Sequence, residues 1–416
     1  MTYDKASFLA GLRTGLALPR IPKEKPKATY LTFLSEDSSE FTLHIADSAK
    51  SWNGTLYYST DAVTWETWNG SVIYSSNGVL HLRGSGNRTI TAGDYTSRFV
   101  LPTQKRIRCS GNIETLLDWE TVSAGGHPAM DQYCFGCMFY DCSSLISAPE
   151  LPATILAEGC YLSLFNGCTS LTVAPELPAT ALTESCYRYM FQGCTSLVSV
   201  HQLPAESLTT YCYENMYSDC TSLTSVPDLP ATTLAEACCR NMFRNCTSLL
   251  MAPALPATAL SSICYAAMFY GCTSLVTPPV LPATVLANEC YYYMFYGCTS
   301  LLTTPALPAT NMYSLCYFYM FYGCTSLVTV PELPTKNLNK SRCYYKMFYG
   351  CTSLKLSATQ DSTYQYPYRI PTTGDGTGAS RASALVDMFA NTGGTFVGTP
   401  SINTTYYTDH PPVAAA

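Results

Sequence analysis

Between Cys134 and Ala358 the apolar and polar positions recur every 26 residues, about nine times. The unit from Cys290 to Leu315 reads CYYYMFYGCTSLLTTPALPATNMYSL. A fixed period of this length predicts a solenoid, in which each unit buries its apolar side by stacking on its neighbours. Counting from the first Cys as position 0, Leu at −4, Cys at 0, Met at +4 and Cys at +8 share one face of a helical wheel. In one unit these are Leu286, Cys290, Met294 and Cys298, with Leu301 following at +11. They are the expected core. Tyr at +1 and Phe at +5 lie on its flank, placed to pack on the next unit.

Position +7 is Gly, Asn or Asp in every unit, residues that tolerate a left-handed backbone, so a helix is expected to end there. Thr of the recurrent Pro-Ala-Thr is the expected N-cap, and Glu158, Glu184 and Glu236 follow in or near the first turn. The signals together predict a helix of about 12 residues per unit. After it, buried Leu at +11 and +17 predict a short strand of two to four residues. Pro at +15 lacks an N–H and limits any ladder. Helices need about 8–10 Å between axes and strands about 4.8 Å, so the array is expected to curve.

Upstream the period changes. Residues 28–101 alternate apolar with polar and are rich in aromatics (TYLTFL, FTLHIA, GTLYYS, GVLHLRG), with Asn-Gly turns between runs. This predicts a small antiparallel β-sandwich. Residues 1–27 read as an attachment segment and linker, 102–133 as the N-terminal cap of the solenoid, 134–358 as the repeats, and 359–416 as C-terminal cap and tail.

Charged residues make up only 12% of the chain and the net charge is −6. The surface must be wetted by Ser, Thr, Asn and Tyr, and partners such as nucleic acid are disfavoured. No apolar run is long enough to span a bilayer. The N-terminus lacks the basic leader and unbroken apolar stretch of a signal peptide. If the protein works outside a cell, on a virion or at a cell surface, something other than a recognisable signal peptide is expected to carry it there.

Eighteen of the 21 Cys fall in nine pairs spaced eight apart, from Cys134/Cys142 to Cys343/Cys351. Eight helical residues span about 12 Å, too far for a disulfide within a unit. Reduced thiols packed as small hydrophobes and bridges between coils both remain open. Cys134-Phe-Gly-Cys137 is a weak redox or zinc signal standing alone. The five His are scattered, and no phosphate-cradling Gly loop occurs. No catalytic, metal or cofactor residue is nominated, and an enzyme is not expected.

The units differ most at positions +2 and +6, opposite the Cys–Met face on the wheel. Early units hold Arg188, Glu214, Arg240, Asn166 and Gln192 there. Later units hold Tyr270, Tyr292, Tyr296, Phe318, Tyr322, Tyr345 and Tyr349. A solvated face has no structural need for these rings. They predict an exposed aromatic strip, either a ligand or partner site or a face covered by the C-terminal segment or another copy.

The core MFYGCTSL at 268–275 and 294–301 resembles the BspA-like leucine-rich repeats of surface proteins of gut and oral bacteria and of their phages. The commoner members have a shorter unit, with Ala-Phe where this chain has Met-Phe. The resemblance implies an α/β solenoid of leucine-rich-repeat type, one short strand and one short helix per coil, here behind a small antiparallel β domain. It also implies a non-enzymatic recognition or adhesion protein. Expected partners are a cell-surface glycan or protein, and a homo-oligomer or virion assembly partner through the N-terminal segment. A phage virion or tail-associated protein is the leading expectation. A secreted bacterial adhesin, or an assembly protein whose aromatic face is an oligomer interface, stands beside it.

Overall fold

The computed structural model describes residues 30–47, 51–335, 338, 340–370 and 383–413. The attachment segment expected over 1–27 and part of the Ser/Thr/Gly-rich stretch after Ile370 lie outside the described residues. Alternation in the N-terminal part gives β1 (Leu31–Ser35), β2 (Thr42–Ile45), β3 (Thr55–Ser59), β4 (Glu66–Trp68), β5 (Ile73–Tyr74), β6 (Val79–Ser85), β7 (Phe99–Val100) and β8 (Ile107–Ser110). β6 alternates buried and half-buried residues along its whole length, as a strand with one face on a core must.

These strands form a sheet in the order β4-β3-β6-β1-β8 and a smaller one in the order β5-β2-β7. Phe99 of β7 packs 5.6 Å from Trp68 of β4 and 6.5 Å from Phe33 of β1, so the two sheets share a core. The helix α1 (Thr115–Ser123) lies on β6. A Cβ on Gly84 would come within 1.7 Å of the Leu116 carbonyl oxygen, so only glycine permits this approach.

The β domain and the solenoid are continuous. β9 (Leu145–Ser147), in the first repeat, pairs in parallel with β8 and extends the larger sheet. Phe99 N–H donates to the Met138 carbonyl, and Phe139 meets Phe99 edge-on at 5.8 Å.

The expected helix does not form. From position −1 to +8 each coil is a run of turns. Even positions close i→i−3 turns, as when Met138 N–H donates to the Phe135 carbonyl. Odd positions donate to the next coil instead: Phe135 to Cys160, Cys137 to Leu162, Phe139 to Leu164, Asp141 to Asn166. An α-helix would spend all these donors on its own i−4 carbonyls. Here half of them tie coil to coil. Positions −1, +3 and +7 are all left-handed, as Glu289 (φ 57°), Tyr293 (56°) and Gly297 (70°) show. At the third position of an i→i−3 turn this is type II geometry. With no helix to cap, Thr258 of a Pro-Ala-Thr instead offers its carbonyl to the N–H groups of Thr284 and Val285 in the next coil.

The result is a period of four, two positions in and two out. Positions 0, +1, +4, +5 and +8 are buried; Cys290, Tyr291, Met294, Phe295 and Cys298 are at most 2% exposed, and Leu301 is fully buried. The flanking aromatics are thus interior. Their rings stack coil on coil, from Phe139 through Phe191, Phe243 and Phe295 to Phe389, at 5.4–5.8 Å and within 12° of parallel. Such offset stacks add to burial of area that already dominates the core. This spacing replaces the 8–10 Å expected for helices, and with it the reason for expecting curvature. On the opposite side the strand shrinks after β9 to isolated bridges such as Val173 with Ser199 and Met251 with Thr277. These bridges sit at +13, two residues before the proline at +15.

At the far end Ala384–Phe389 repeats the turn pattern as a tenth coil without cysteines, and Phe348 N–H donates to the Met388 carbonyl. A sheet of β10 (Leu356–Ser357), β12 (Thr405–Thr408) and β11 (Tyr366–Arg369) closes the stack. Tyr368 and Phe396 meet Phe389 edge-on, each at 6.0 Å, and end the ring ladder.

All 21 cysteines are free and buried. The Cys at +8 donates its thiol to the +5 carbonyl of the previous coil, as Cys298 does to Phe269 at 3.1 Å and Cys324 to Phe295 at 3.0 Å. A thiol suits this position because it packs as a hydrophobe yet carries a weak donor. Burial pushes Cys142, Cys186, Cys272 and Cys316 up to about 12.

Two outcomes follow. Gly297 is left-handed, with nothing within 4 Å of an added Cβ. Gly297→Ala is therefore expected to cost about 1 kcal/mol through backbone conformation alone, with Gly297→Asn costing less. Urea unfolding checks this, and an unchanged midpoint for the Ala variant contradicts it. The thiols set the response to alkali. Their pKa is raised by folding, so their stabilising effect is whole below the unfolded thiol value of about 8.5 and is lost as pH climbs toward about 12. At pH 10 those four thiols alone oppose folding by about 8 kcal/mol, comparable to the whole stability of many domains. Circular dichroism should show cooperative unfolding above pH 9. A thiol-specific reagent such as DTNB at neutral pH should find almost no native thiol and all 21 in denaturant.

Candidate functional site

The period-of-four backbone turns positions +2, +3, +6 and +7 outward, and side chains at one position line up along the array. The +6 row of the later coils is a ladder: Tyr270 on Tyr296 at 4.6 Å, Tyr296 on Tyr322 at 4.8 Å, Tyr322 on Tyr349 at 4.8 Å, all within 5° of parallel. The +2 row stacks Tyr292 on Phe318 at 5.0 Å and Phe318 on Tyr345 at 5.1 Å. The structure therefore brings together all seven aromatics singled out from the sequence. They are less exposed than a strip standing in solvent. The six tyrosines are half-buried and Phe318 is only 7% exposed, because each ring covers the face of the next.

Two further tyrosines join them. Tyr293 and Tyr319, at +3, stack on each other at 5.0 Å between the two ladders. Tyr293 stands edge-on to Tyr292 at 4.2 Å and to Tyr296 at 5.4 Å. The helical wheel sends +3 away from +2 and +6, which is why these residues escaped notice. Burial, and then a hydrogen bond with Tyr292, raises the Tyr293 phenol. Burial likewise raises the phenols of Tyr296 and Tyr319.

Cations bound the patch at both ends. The Arg244 guanidinium lies over Tyr270 at 4.5 Å. At the other end the Lys346 ammonium sits 5.1 Å from Tyr349 and 5.5 Å from Tyr345. Before the aromatics begin, the +2 row is ionic. Glu214, 1% exposed at its side chain, lies 2.6 Å from Arg188 Nε and 3.5 Å from Arg240 Nε. The nearer contact is an ion pair whose N–H is not aimed as a hydrogen bond.

Between the ionic and aromatic parts of the +2 and +3 rows stand Ala266 and Ala267. They floor a groove of about 590 Å³. Arg240, Asn241 and Arg244 form its wall on the earlier coil, Tyr292, Tyr293 and Glu289 its wall on the later one, and the tyrosines of the +6 ladder run along it. A second concavity of about 550 Å³ lies where β1 and β8 meet the first coil, around Arg108 and Glu150.

The other candidate chemistry disperses. Cys134 and Cys137 take different partners, the carbonyls of Cys160 and Gly93. Cys137 occupies the left-handed +3 position and burial pushes it up to about 11. Among the described residues no group of three His, Cys, Asp or Glu side chains is arranged to hold a metal ion. No described helix is long and apolar enough to cross a membrane.

In comparisons with known proteins, no curated protein and no solved structure matches this chain. The family model of the BspA type leucine-rich repeat region matches in six copies, over residues 136–276 and 236–368, together more than half of the chain. Those residues hold most of the stacked turns and the whole aromatic groove, and the chain belongs to the BspA-type leucine-rich-repeat family.

Proposed function

We propose that this is a non-enzymatic recognition protein that contacts a cell surface through the groove and tyrosine ladders of coils five to nine. The observation that supports this most is the clustering of nine aromatic side chains on the outward face of the later coils, where the fold needs none. The early coils show as much: they stack equally well with Arg188, Glu214, Asn166 and Gln192 at the same positions. Proteins of this family are commonly surface-associated and adhesive, which agrees with an extended binding face. Tyr combines flat apolar area with a hydroxyl, and costs little side-chain entropy when ordered.

For the setting we propose a phage virion or tail-associated protein, since phage proteins are among those the repeats resemble. Tail or capsid genes beside this one would support it. Secretion-system or surface-anchor genes would favour a bacterial adhesin.

Binding of purified protein to candidate host cells is the test. Tyr296→Ser, Tyr322→Ser and Tyr349→Ser combined should reduce binding at least about tenfold, a loss of 1.4 kcal/mol or more, while the far-UV spectrum and oligomeric state stay unchanged. Unchanged binding overturns the reading. A stable homo-oligomer that the same changes disperse would assign the ladder to assembly instead.

A further inference from the structure

We infer that the groove over Ala266 and Ala267 is a subsite for one acidic sugar residue, held flat against Tyr292 with its carboxylate toward Arg240 and Arg244. The inference rests on the recognition reading above and narrows its ligand class.

The argument begins with ring faces. Within a ladder of rungs about 5 Å apart, each tyrosine hides both faces and offers solvent only an edge. A sugar needs a free face to stack on. In the +2 row Tyr292 stacks on Phe318 on one side, but its other neighbour is Ala266. In the +3 row Tyr293 stacks on Tyr319, and its other neighbour is Ala267. Two small residues in one coil leave out a rung. The next +2 side chain, Arg240, stands two coils from Tyr292, roughly 10 Å at the strand spacing. That leaves a slot about one ring thick between them. Glu214 draws Arg240 to the far side of the slot, and this helps keep it open.

The lining distinguishes a sugar from an aromatic side chain of a protein partner. Arg240, Asn241, Glu289 and the tyrosine hydroxyls surround the slot with donors and acceptors. A phenyl ring inserted there would bury them unpaired, at a cost of several kcal/mol. A pyranose carries hydroxyls around its rim to meet them.

Charge gives the sugar its sign. Arg240 shares Glu214 with Arg188. Arg244 lies over Tyr270 and has no carboxylate partner among the described residues. Both guanidiniums are on the earlier wall. Glu289, the one carboxylate lining the groove, is on the later wall beside Tyr292 and suits hydroxyl or amide donors. The slot is polarised, and a ring with a carboxylate at one side and donors at the other fits it. Guanidinium forks are well matched to carboxylates. From the slot the groove continues past Tyr296, Tyr319 and Tyr322, so further sugar residues of an oligosaccharide would lie along ring edges and hydroxyls.

Calorimetric titration of the full chain with matched saccharide pairs tests this. The acids are galacturonate, glucuronate and sialyl oligosaccharides, and their neutral partners are the methyl esters. At least one acid should bind about tenfold or more tightly than its ester. Arg244→Gln should remove that preference while leaving the ester's affinity within about twofold. Ala266→Tyr should restore the missing rung, since Tyr292 and Phe318 occupy the same position in the next coils. It is expected to melt no lower than the parent protein and to abolish saccharide binding. Equal affinity for acid and ester, or undiminished binding by Ala266→Tyr, overturns the inference. If cell binding depends on Tyr296, Tyr322 and Tyr349 but no acidic saccharide binds, the subsite falls and the recognition reading stands. If the parent protein binds no cells, that reading falls instead.

Discussion

The alternation of backbone hydrogen bonds is the constraint on which this molecule depends. Every second N–H of the turn segment closes a turn in its own coil, and every other one reaches the coil after it. Buried backbone donors thereby find carbonyl partners, as burial of so much backbone requires. The scheme holds only if positions −1, +3 and +7 adopt left-handed conformations. Ile263, Leu315 and Tyr319 do so although such residues disfavour it. The cost, of order 1–2 kcal/mol at each such residue, is offset by hydrogen bonds between coils and by stacked rings. Those rings are aligned because the backbone ladder fixes each coil in register with the next. Stability is thus shared between neighbours, and a lone coil keeps only the half of its bonding that closes its own turns.

The same scheme explains what could be read from the residues and what could not. The period, the buried Cys290, Met294 and Cys298, and the proline-limited strand side were all legible, because each follows from a residue type at a fixed position. The helix was not. Residues 0, +4 and +8 fall on one face whether the chain turns 100° per residue or repeats every four. Gly at +7 marked a left-handed position correctly, but Tyr293 or Lys346 at +3 gave no such mark. The difference lies in where the N–H groups go, and that is decided between coils. A reading of one unit alone has no access to it.

For the groove, the misread backbone did limited harm. Positions +2 and +6 face outward under either geometry, so the seven aromatics were found. Tyr293, Tyr319 and the two-alanine floor were missed because a helical wheel turns +3 away from +2 and +6, whereas the turns set the three rows side by side. Arg240 looked like ordinary wetting of an early coil, and Arg244 was not singled out. Only the stacking order shows them as the wall facing Tyr292.

Regularity and recognition oppose each other in such a stack. A perfect ladder satisfies itself: ring faces are covered by ring faces, thiols by carbonyls, and Glu214 by two arginines. It presents edges, which offer area but little shape. Information for a ligand enters where a rung is missing, since there a ring lacks a stacked neighbour on one face. Ala266 and Ala267 remove rungs from two adjacent rows in the same coil without disturbing the interior, where Tyr265, Met268 and Phe269 remain buried. The outward rows can therefore change while the inward rows hold the fold. A repeat of this kind can move or reshape its binding slot by exchanging small and aromatic residues at +2 and +3, with no demand on the core.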